Sequence, residues 1–294
     1  MDERMVLIRP PSEANNFLLP VTMGCSNNTC TFCGTYNEVK FKVRNLENIK
    51  QDIDWVAQNY SWSLRRVFLE NGDALIAPQH ILVEVLKHLN SKFPYLERIG
   101  TYATPRSALI KEADELKELN QLGLKIAYLG VETGDEELLH KVKKGVNYGQ
   151  MVEAGRKLKE AGITTSVTVI LGLAGVEGSE NHALKTARIL NDINPDFVGA
   201  LVLGLSPGTE MYQDWKEGRF TPISPFQTLV ELKTIIENSS FTDCFFTANH
   251  ASNYLPMRVR LPQQKDEAVK LLDDIITKKD VSRLRPSFSE LYRQ

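Results

Sequence analysis

Cysteine and histidine are scarce in this chain, four and five residues respectively among 294. Three of the four cysteines fall within nine positions, which leaves no set of pairs for a disulfide framework and agrees with a reducing compartment. Apolar runs are short, none approaching the ~20 residues needed to span a bilayer. The first residues, Met1–Arg9, contain no apolar stretch of signal length, so a cytoplasmic protein is expected. An excess of one charge is missing too: 35 basic against 37 acidic residues give a net charge of −2. No global field then draws the protein to nucleic acid or to an anionic membrane, and RNA as a partner is unsupported. There is no internal repeat, no low-complexity segment, and no Gly-x-Gly-x-x-Gly opening a helix as a dinucleotide fold would have.

What the chain does have is a hydrophobic content of 42%, enough for a large core, arranged as alternating strand and helix patterns. Phe17–Val21 reads as a buried strand. Helical spacing follows over Leu46–Tyr60, Pro78–Phe93, Lys111–Leu122, Asp135–Lys143, Gly149–Ala161 and Ser179–Ile193. Strand patterns lie between them at Leu64–Leu69, Arg98–Tyr102, Leu124–Glu132, Thr164–Leu171 and Phe197–Leu203. Six strand–helix units in regular order argue for α/β architecture with a parallel sheet and helices outside. After Ser206 the rhythm changes, with prolines as punctuation and helices expected at Phe226–Glu237 and Gln264–Lys278. The sequence therefore divides into a core, 1–205, and a mainly helical C-terminal extension, 206–294, that covers the opening of the core.

The most informative stretch is Gly24-Cys25-Ser26-Asn27-Asn28-Thr29-Cys30-Thr31-Phe32-Cys33-Gly34. Three thiolates on one loop can hold three irons of an iron–sulfur cube and leave the fourth open to a reactant. Three other readings compete. A structural zinc site needs a fourth ligand, and the nearest histidine, His80, is far along the chain. A redox Cys-x-x-Cys leaves Cys25 without a role. Buried structural cysteines seldom sit in so polar a loop.

The loop resembles the cluster loop of the radical S-adenosylmethionine (SAM) superfamily, in the branch with methylthiotransferases, oxygen-independent coproporphyrinogen oxidases and the elongator catalytic subunit. That pattern is Cys, three residues, Cys, two residues including an aromatic, Cys. Phe32 fills the aromatic position, and four residues rather than three separate Cys25 from Cys30. The resemblance implies an incomplete (β/α)6 TIM-like barrel with function at the C-terminal ends of its strands. It implies that Cys25, Cys30 and Cys33 bind a 4Fe-4S cluster, that SAM chelates the open iron, and that one electron splits SAM to a 5′-deoxyadenosyl radical which takes hydrogen from substrate. The implied partners are a polar small-molecule substrate and a one-electron donor such as flavodoxin or ferredoxin.

The same resemblance distributes roles along the strand ends. Asn71-Gly72-Asp73 looks like a variant of the Gly-Gly-Glu-like turn that holds the amino group of SAM; by itself it is an ordinary Asn-Gly turn. Glu132 matches a polar position turned toward SAM. Lys144 matches the basic partner of its carboxylate, with Arg156 as rival, although a Lys-Lys-Gly at a helix end also complements the helix dipole. Thr168 falls where relatives contact the ribose, and Gly172 suits a close backbone approach. Beyond SAM binding, His250, Tyr254 and Cys244 are candidates for work on the substrate; Asn and Ser between them could equally satisfy their own loop, and Cys244 could be core. Methyl transfer from SAM at the same site, and a non-catalytic zinc-binding barrel, are the alternatives.

Overall fold

A computed structural model describes residues 8–286 of the chain. Contacts divide it into two units that interleave along the sequence. The described residues through Asn28, with Thr35–Leu129 and Glu153–Thr165, form the first; Thr29–Gly34, Gly130–Val152 and the described residues from Ser166 form the second.

In the first unit β1 (Phe17–Pro20) leads to a small antiparallel pair, β2 (Thr22–Met23) and β3 (Lys42–Val43). There follow α1 (Leu46–Tyr60), β4 (Arg66–Glu70), α2 (Gln79–Lys92), β5 (Arg98–Ala103), α3 (Pro105–Ile110), α4 (Ala113–Gln121) and β6 (Leu124–Glu132), whose last residues cross into the second unit. Strands β1, β4, β5 and β6 pair in that order, all parallel. Their register brings Leu18, Phe68, Gly100 and Ile126 side by side, and Tyr102 beside Tyr128. Because side chains alternate across a strand, these residues share one face. The Phe68 ring meets Tyr102 edge-on at 5.0 Å and Tyr128 at 5.7 Å. The helices bury Ile49 and Ile53 of α1, Leu82, Val85, Leu86 and Leu89 of α2, and Leu116 and Leu119 of α4.

The helix expected over Lys111–Leu122 is α4, and a further helix, α3, precedes it. Thr104 and Ser107 form a capping box and Pro105 sits at the first helical position, so α3 starts where the sequence reading had only a strand end. The extended backbone of Lys111 then separates it from α4.

The second unit contains α5 (Glu136–Lys141), the first part of α6 (Tyr148–Glu160), most of β7 (Thr164–Leu171), α7 (Gly175–Ile193), β8 (Phe197–Val202), α8 (Glu210–Lys216), α9 (Pro225–Glu237), β9 (Cys244–Ala248), β10 (Met257–Leu261) and α10 (Lys265–Lys278). Strands β7, β8 and β9 are parallel neighbours, and β10 returns antiparallel along β9. Helix α7 ends at Asn194, which takes the left-handed conformation directly before Pro195. Helix α9 packs against α7 and α10 and buries Leu229, Leu232, Ile235 and Ile236.

The parallel α/β alternation is the one expected. The tail is richer than a helical cap, since β9 and β10 lengthen the sheet. Met257, Val259 and Leu261 are buried while Arg258 and Arg260 are exposed, a period of two that marks a strand with one face on the core. The division expected at residue 205 falls inside the second unit.

Candidate functional site

In the first unit the chain leaves β2, turns at Gly24 and presents Cys25. The carbonyl of Gly24 accepts from the Gly72 amide at 3.1 Å, which fastens this turn to the end of β4. Gly72 has to be glycine for a steric reason: a Cβ there would stand 2.6 Å from Cys25 Cβ and 3.0 Å from Tyr36 Cε2. Cys25 Sγ lies 3.9 Å from the Gly72 carbonyl oxygen.

Asp73 is fully buried, and its carboxylate accepts from Ser26 Oγ, from Thr104 Oγ1 at 2.8 Å and from the Thr104 amide at 3.3 Å. Burial raises its pKa and these donors pull it back. Its oxygens are thus engaged in tying the Cys25–Ser26 turn to the start of α3, whereas the sequence reading had them facing SAM. Asn71 adopts a left-handed φ of 81° and is 2% exposed. Its amide Nδ2 and the hydroxyl of buried Thr22 meet no partner among the described residues. Such groups are costly unless something binds them. An amide and a hydroxyl beside a thiol-bearing turn suit the ammonium and carboxylate of an amino acid, as in the methionine end of SAM.

The second unit holds Cys30 and Cys33 in a tight turn, the Cys33 amide donating to the Cys30 carbonyl at 3.2 Å. Thr31 donates to the Val142 carbonyl at 3.1 Å and accepts from the Met211 amide at 2.9 Å, pinning the turn between the end of α5 and the start of α8. Phe32 packs against Leu138, Val142, Leu173, Met211 and Phe220. Its role in this structure is to anchor the turn.

At the end of β6, Glu132 has a left-handed φ of 65°, and Lys144 Nζ donates to its Oε1 at 2.8 Å. The two side chains are 11% and 9% exposed. Gly130 makes room for them, since a Cβ there would lie 2.2 Å from Glu132 Oε1. The sequence reading gave Glu132 and Lys144 separate contacts to SAM; the structure joins them to each other, and leaves Arg156 exposed on α6. Thr168 is half-buried on the β7 face that carries Ile170.

A buried polar network supports this region, and the sequence reading missed it. His182 Nε2 lies 3.0 Å from the Ile170 carbonyl and Nδ1 lies 2.8 Å from Thr133 Oγ1. A carbonyl only accepts, so Nε2 carries the proton and Nδ1 accepts from the threonine. Burial pushes the His182 pKa down to about 4 and keeps the ring neutral. Glu231 accepts from the Gly172 amide and from Ser179 Oγ, each at 2.7 Å, and burial pushes its pKa up to about 7. Gly172 therefore holds its φ of 80° against a fixed acceptor. The legible signal was an acid within the apolar stripe Thr228, Leu229, Leu232, Ile235 and Ile236 of α9.

The expected substrate-side groups Cys244, His250 and Tyr254 lie on β9 and on the loop that follows it. Cys244 is fully buried in β9, the position of a core residue, which is the second of the two roles the sequence allows it. His250 Nδ1 lies 2.8 Å from Ser252 Oγ, which accepts from the Val202 amide, and burial lowers the His250 pKa. Asn253 donates to the Ala200 carbonyl at 2.9 Å, and the Tyr254 carbonyl accepts from the Arg285 amide at 2.7 Å. Ser252 and Asn253 thus fasten this loop to β8.

None of the four cysteines is in a disulfide. Among the described residues no three Cys, His, Asp or Glu side chains gather as they would around a single metal ion. A cube sets its thiolates farther apart than one ion does, because each binds a different iron. Soft sulfur donors in polar turns, with unpartnered amide and hydroxyl groups beside one of them, fit that group.

A parallel α/β scaffold with cysteines, a buried ion pair and left-handed turns at its strand ends defines an enzyme class that carries its chemistry on a loop-bound cofactor. The chain belongs to the radical SAM superfamily, which it matches over residues 19–187; the family's cofactors are a 4Fe-4S cluster and SAM. It is 31% identical over 110 residues to the tRNA uridine(34) acetyltransferase of Methanocaldococcus jannaschii, covering 36% of this chain and 20% of that protein. It is 28% identical over 136 residues to a probable threonylcarbamoyladenosine tRNA methylthiotransferase of the same organism, covering 44% and 30%. The coproporphyrinogen III oxidase of Escherichia coli shares the fold, with a TM-score of 0.58 at 18% identity over 76% of this chain and 51% of that one. The chain thus spans under a third of the curated relatives it matches. No helix among the described residues is long and apolar enough to cross a membrane.

Proposed function

We propose that this protein reductively cleaves SAM and directs the resulting radical at a polar small molecule. Cys25, Cys30 and Cys33 are the cluster ligands, and the observation that carries the reading is the family match, which contains all three. When bound, the cluster supplies the electron that splits SAM into methionine and a 5′-deoxyadenosyl radical, and the radical takes a hydrogen atom from substrate. The chain's own residues position and protect. The Asp73–Ser26 bond and the Gly72–Gly24 bond hold the Cys25 turn. Phe32 fixes the Cys30–Cys33 turn in its apolar nest. Asn71 and Thr22 offer polar groups to the amino-acid end of SAM. The Thr168 face of β7, beside the Gly172 turn, is offered to its nucleoside. The electron comes from a small donor protein such as flavodoxin or ferredoxin. Two relatives are named for tRNA modification, but a net charge of −2 gives this chain no field for a polyanion, which favours a small substrate.

Anaerobic reconstitution with iron and sulfide is the test. A brown protein that forms 5′-deoxyadenosine from SAM and reductant, and loses both properties on Cys25→Ala, Cys30→Ala or Cys33→Ala, is expected. A colourless protein that retains only zinc would overturn the cluster. Formation of S-adenosylhomocysteine without 5′-deoxyadenosine would move the activity to methyl transfer.

A further inference from the structure

Three carboxylates among the described residues of the first unit are wholly buried, and the fold treats them differently. Glu13 accepts from Arg98 Nη2 at 2.6 Å, from the Tyr128 hydroxyl and from the Asn16 amide. Asp73 has its three donors from Ser26 and Thr104. Glu70 is 0% exposed, and neither of its oxygens meets a donor in hydrogen-bond geometry among the described residues. The backbone amides of Ile8 and Asn71 and the charge of exposed Arg9 act on it from nearby, and burial outweighs them. Burying a charge without a partner is expensive, so the position calls for a ligand.

The register says what surrounds it. Glu70 lies two residues beyond Phe68 and opposite Pro20, hence on the face that carries Leu18, Phe68, Tyr102, Ile126 and Tyr128. The Tyr102 phenol feels the charge of Glu70 and has Tyr36 and Tyr128 about it. Leu18, Pro20 and Tyr102 are partly buried rather than wholly enclosed, so this is the part of the face a guest can approach. Glu70 acts electrostatically on Tyr102 and is acted on by the Ile8 and Asn71 amides and by Arg9, while Asp73 is the acid bonded to the cysteine turn through Ser26.

We propose that Glu70 is a substrate-binding residue that accepts from a cationic nitrogen, an ammonium or guanidinium, whose carbon chain lies on the tyrosine-lined face. An unpartnered acceptor supplies the charge-assisted bond, and aromatic faces beside it favour a cation over a neutral group. The inference deepens the proposed function by naming the substrate class, and rests on that reading for the word substrate.

The experiment uses the purified full chain labelled with ¹³C at glutamate carboxyls, with and without reconstituted iron, and takes the resonance missing from Glu70→Gln as that of Glu70. Butylammonium and butylguanidinium are the probes, with butanol as the neutral control and SAM as the competing source of an ammonium. Either cation should lower the Glu70 titration midpoint by about one pH unit or more, as an opposite charge within bonding distance does. Butanol and SAM should leave it in place, and Glu70→Gln should weaken binding of both cations at least tenfold by tyrosine near-ultraviolet difference spectra. A midpoint indifferent to both cations, or one equally sensitive to butanol, overturns the proposal. A shift produced by SAM alone also overturns it and gives the carboxylate to the cofactor. None of these readings needs reductant or turnover, so their failure is distinct from a failure to form 5′-deoxyadenosine.

Discussion

Replacing Gly72 by alanine tests whether the end of β4 is shaped to admit Cys25. The added Cβ would stand 2.6 Å from Cys25 Cβ, 3.0 Å from Cys25 Cα and 3.0 Å from the Tyr36 ring, against 3.4–4 Å for ordinary contact. Two of those atoms belong to the cysteine's backbone and first carbon, which cannot swing aside as the tip of a long side chain can. The Cys25 turn therefore has to retreat, straining the Gly72–Gly24 hydrogen bond that fixes it. Overpacking of this kind costs about 1–3 kcal/mol. At a few degrees per kcal/mol, the cofactor-free protein should melt roughly 2–12 °C lower. Iron incorporation should suffer more than stability, because a displaced thiolate no longer meets its iron. Gly208→Ala is the control: its φ of 85° adds backbone strain, but nothing lies within 4 Å of the new Cβ. It should lose a comparable amount of stability through strain alone, of order 1–2 kcal/mol, and take up the full complement of iron. Both variants are measured by thermal melting without cofactor and by iron and sulfide per chain after anaerobic reconstitution. If Gly72→Ala matches the wild type in iron, either the glycine does not govern the turn or Cys25 is not a ligand.

Lys144→Met should cost about 3–5 kcal/mol by leaving Glu132 charged and buried, and adding Glu132→Gln should recover most of it; urea denaturation of the cycle decides, and a single-variant loss below about 1 kcal/mol would sink it. Glu70 titrates near 7 in the folded protein against 4.5 for an ordinary glutamate, so the folded state holds the extra proton between those values. Its contribution is full below pH 4.5 and is lost as pH rises to 7; stability of the wild type relative to Glu70→Gln should fall by up to about 3 kcal/mol across that window, at ~1.4 kcal/mol per pKa unit. A flat difference in denaturation midpoints refutes it. His182 runs the other way, its stabilisation present above pH 6.5 and lost as pH falls toward 4, so a substitution at His182 should not reproduce the Glu70 profile. Cys244→Ser should bury a hydroxyl at a cost of about 1–3 kcal/mol yet keep wild-type iron, whereas Cys30→Ala, at a half-buried turn position, should lose iron with little change in melting.

Much of the scaffold was legible because hydrophobic period and end signals agreed. Leu46–Tyr60 and Thr164–Leu171 begin and end where periodicity placed them, the first with Asn45 as its cap. Helix α3 escaped because its six residues are too few to show a period; only the Thr104-Pro105 start signal marks it. Strands β9 and β10 escaped for a different reason. The polar residues 249–254 between them were taken as a ligand-binding cluster, which obscured the alternation on either side, although Met257–Leu261 alternates without a break.

The site residues divide along the same physical line. Residue type was readable; partnership was not, since it depends on which strand ends the fold sets side by side. Asp73 is expected from its motif to meet an ammonium, and the structure shows it accepting from Ser26 and Thr104. Glu132 and Lys144 are each expected to meet SAM, and the structure shows them bonded to each other. Each arrangement has a glycine at its centre, Gly72 against Cys25 and Gly130 against the Glu132–Lys144 pair. A glycine at a strand end suggests from sequence alone that a ligand's backbone or phosphate comes close. Here the atoms that exclude a Cβ belong to the protein, so these glycines serve the packing that positions the site. Glu70, a carboxylate whose oxygens meet no hydrogen-bond donor among the described residues, precedes the motif by one residue, and a glutamate closing an apolar strand carries no signature until its neighbours are known.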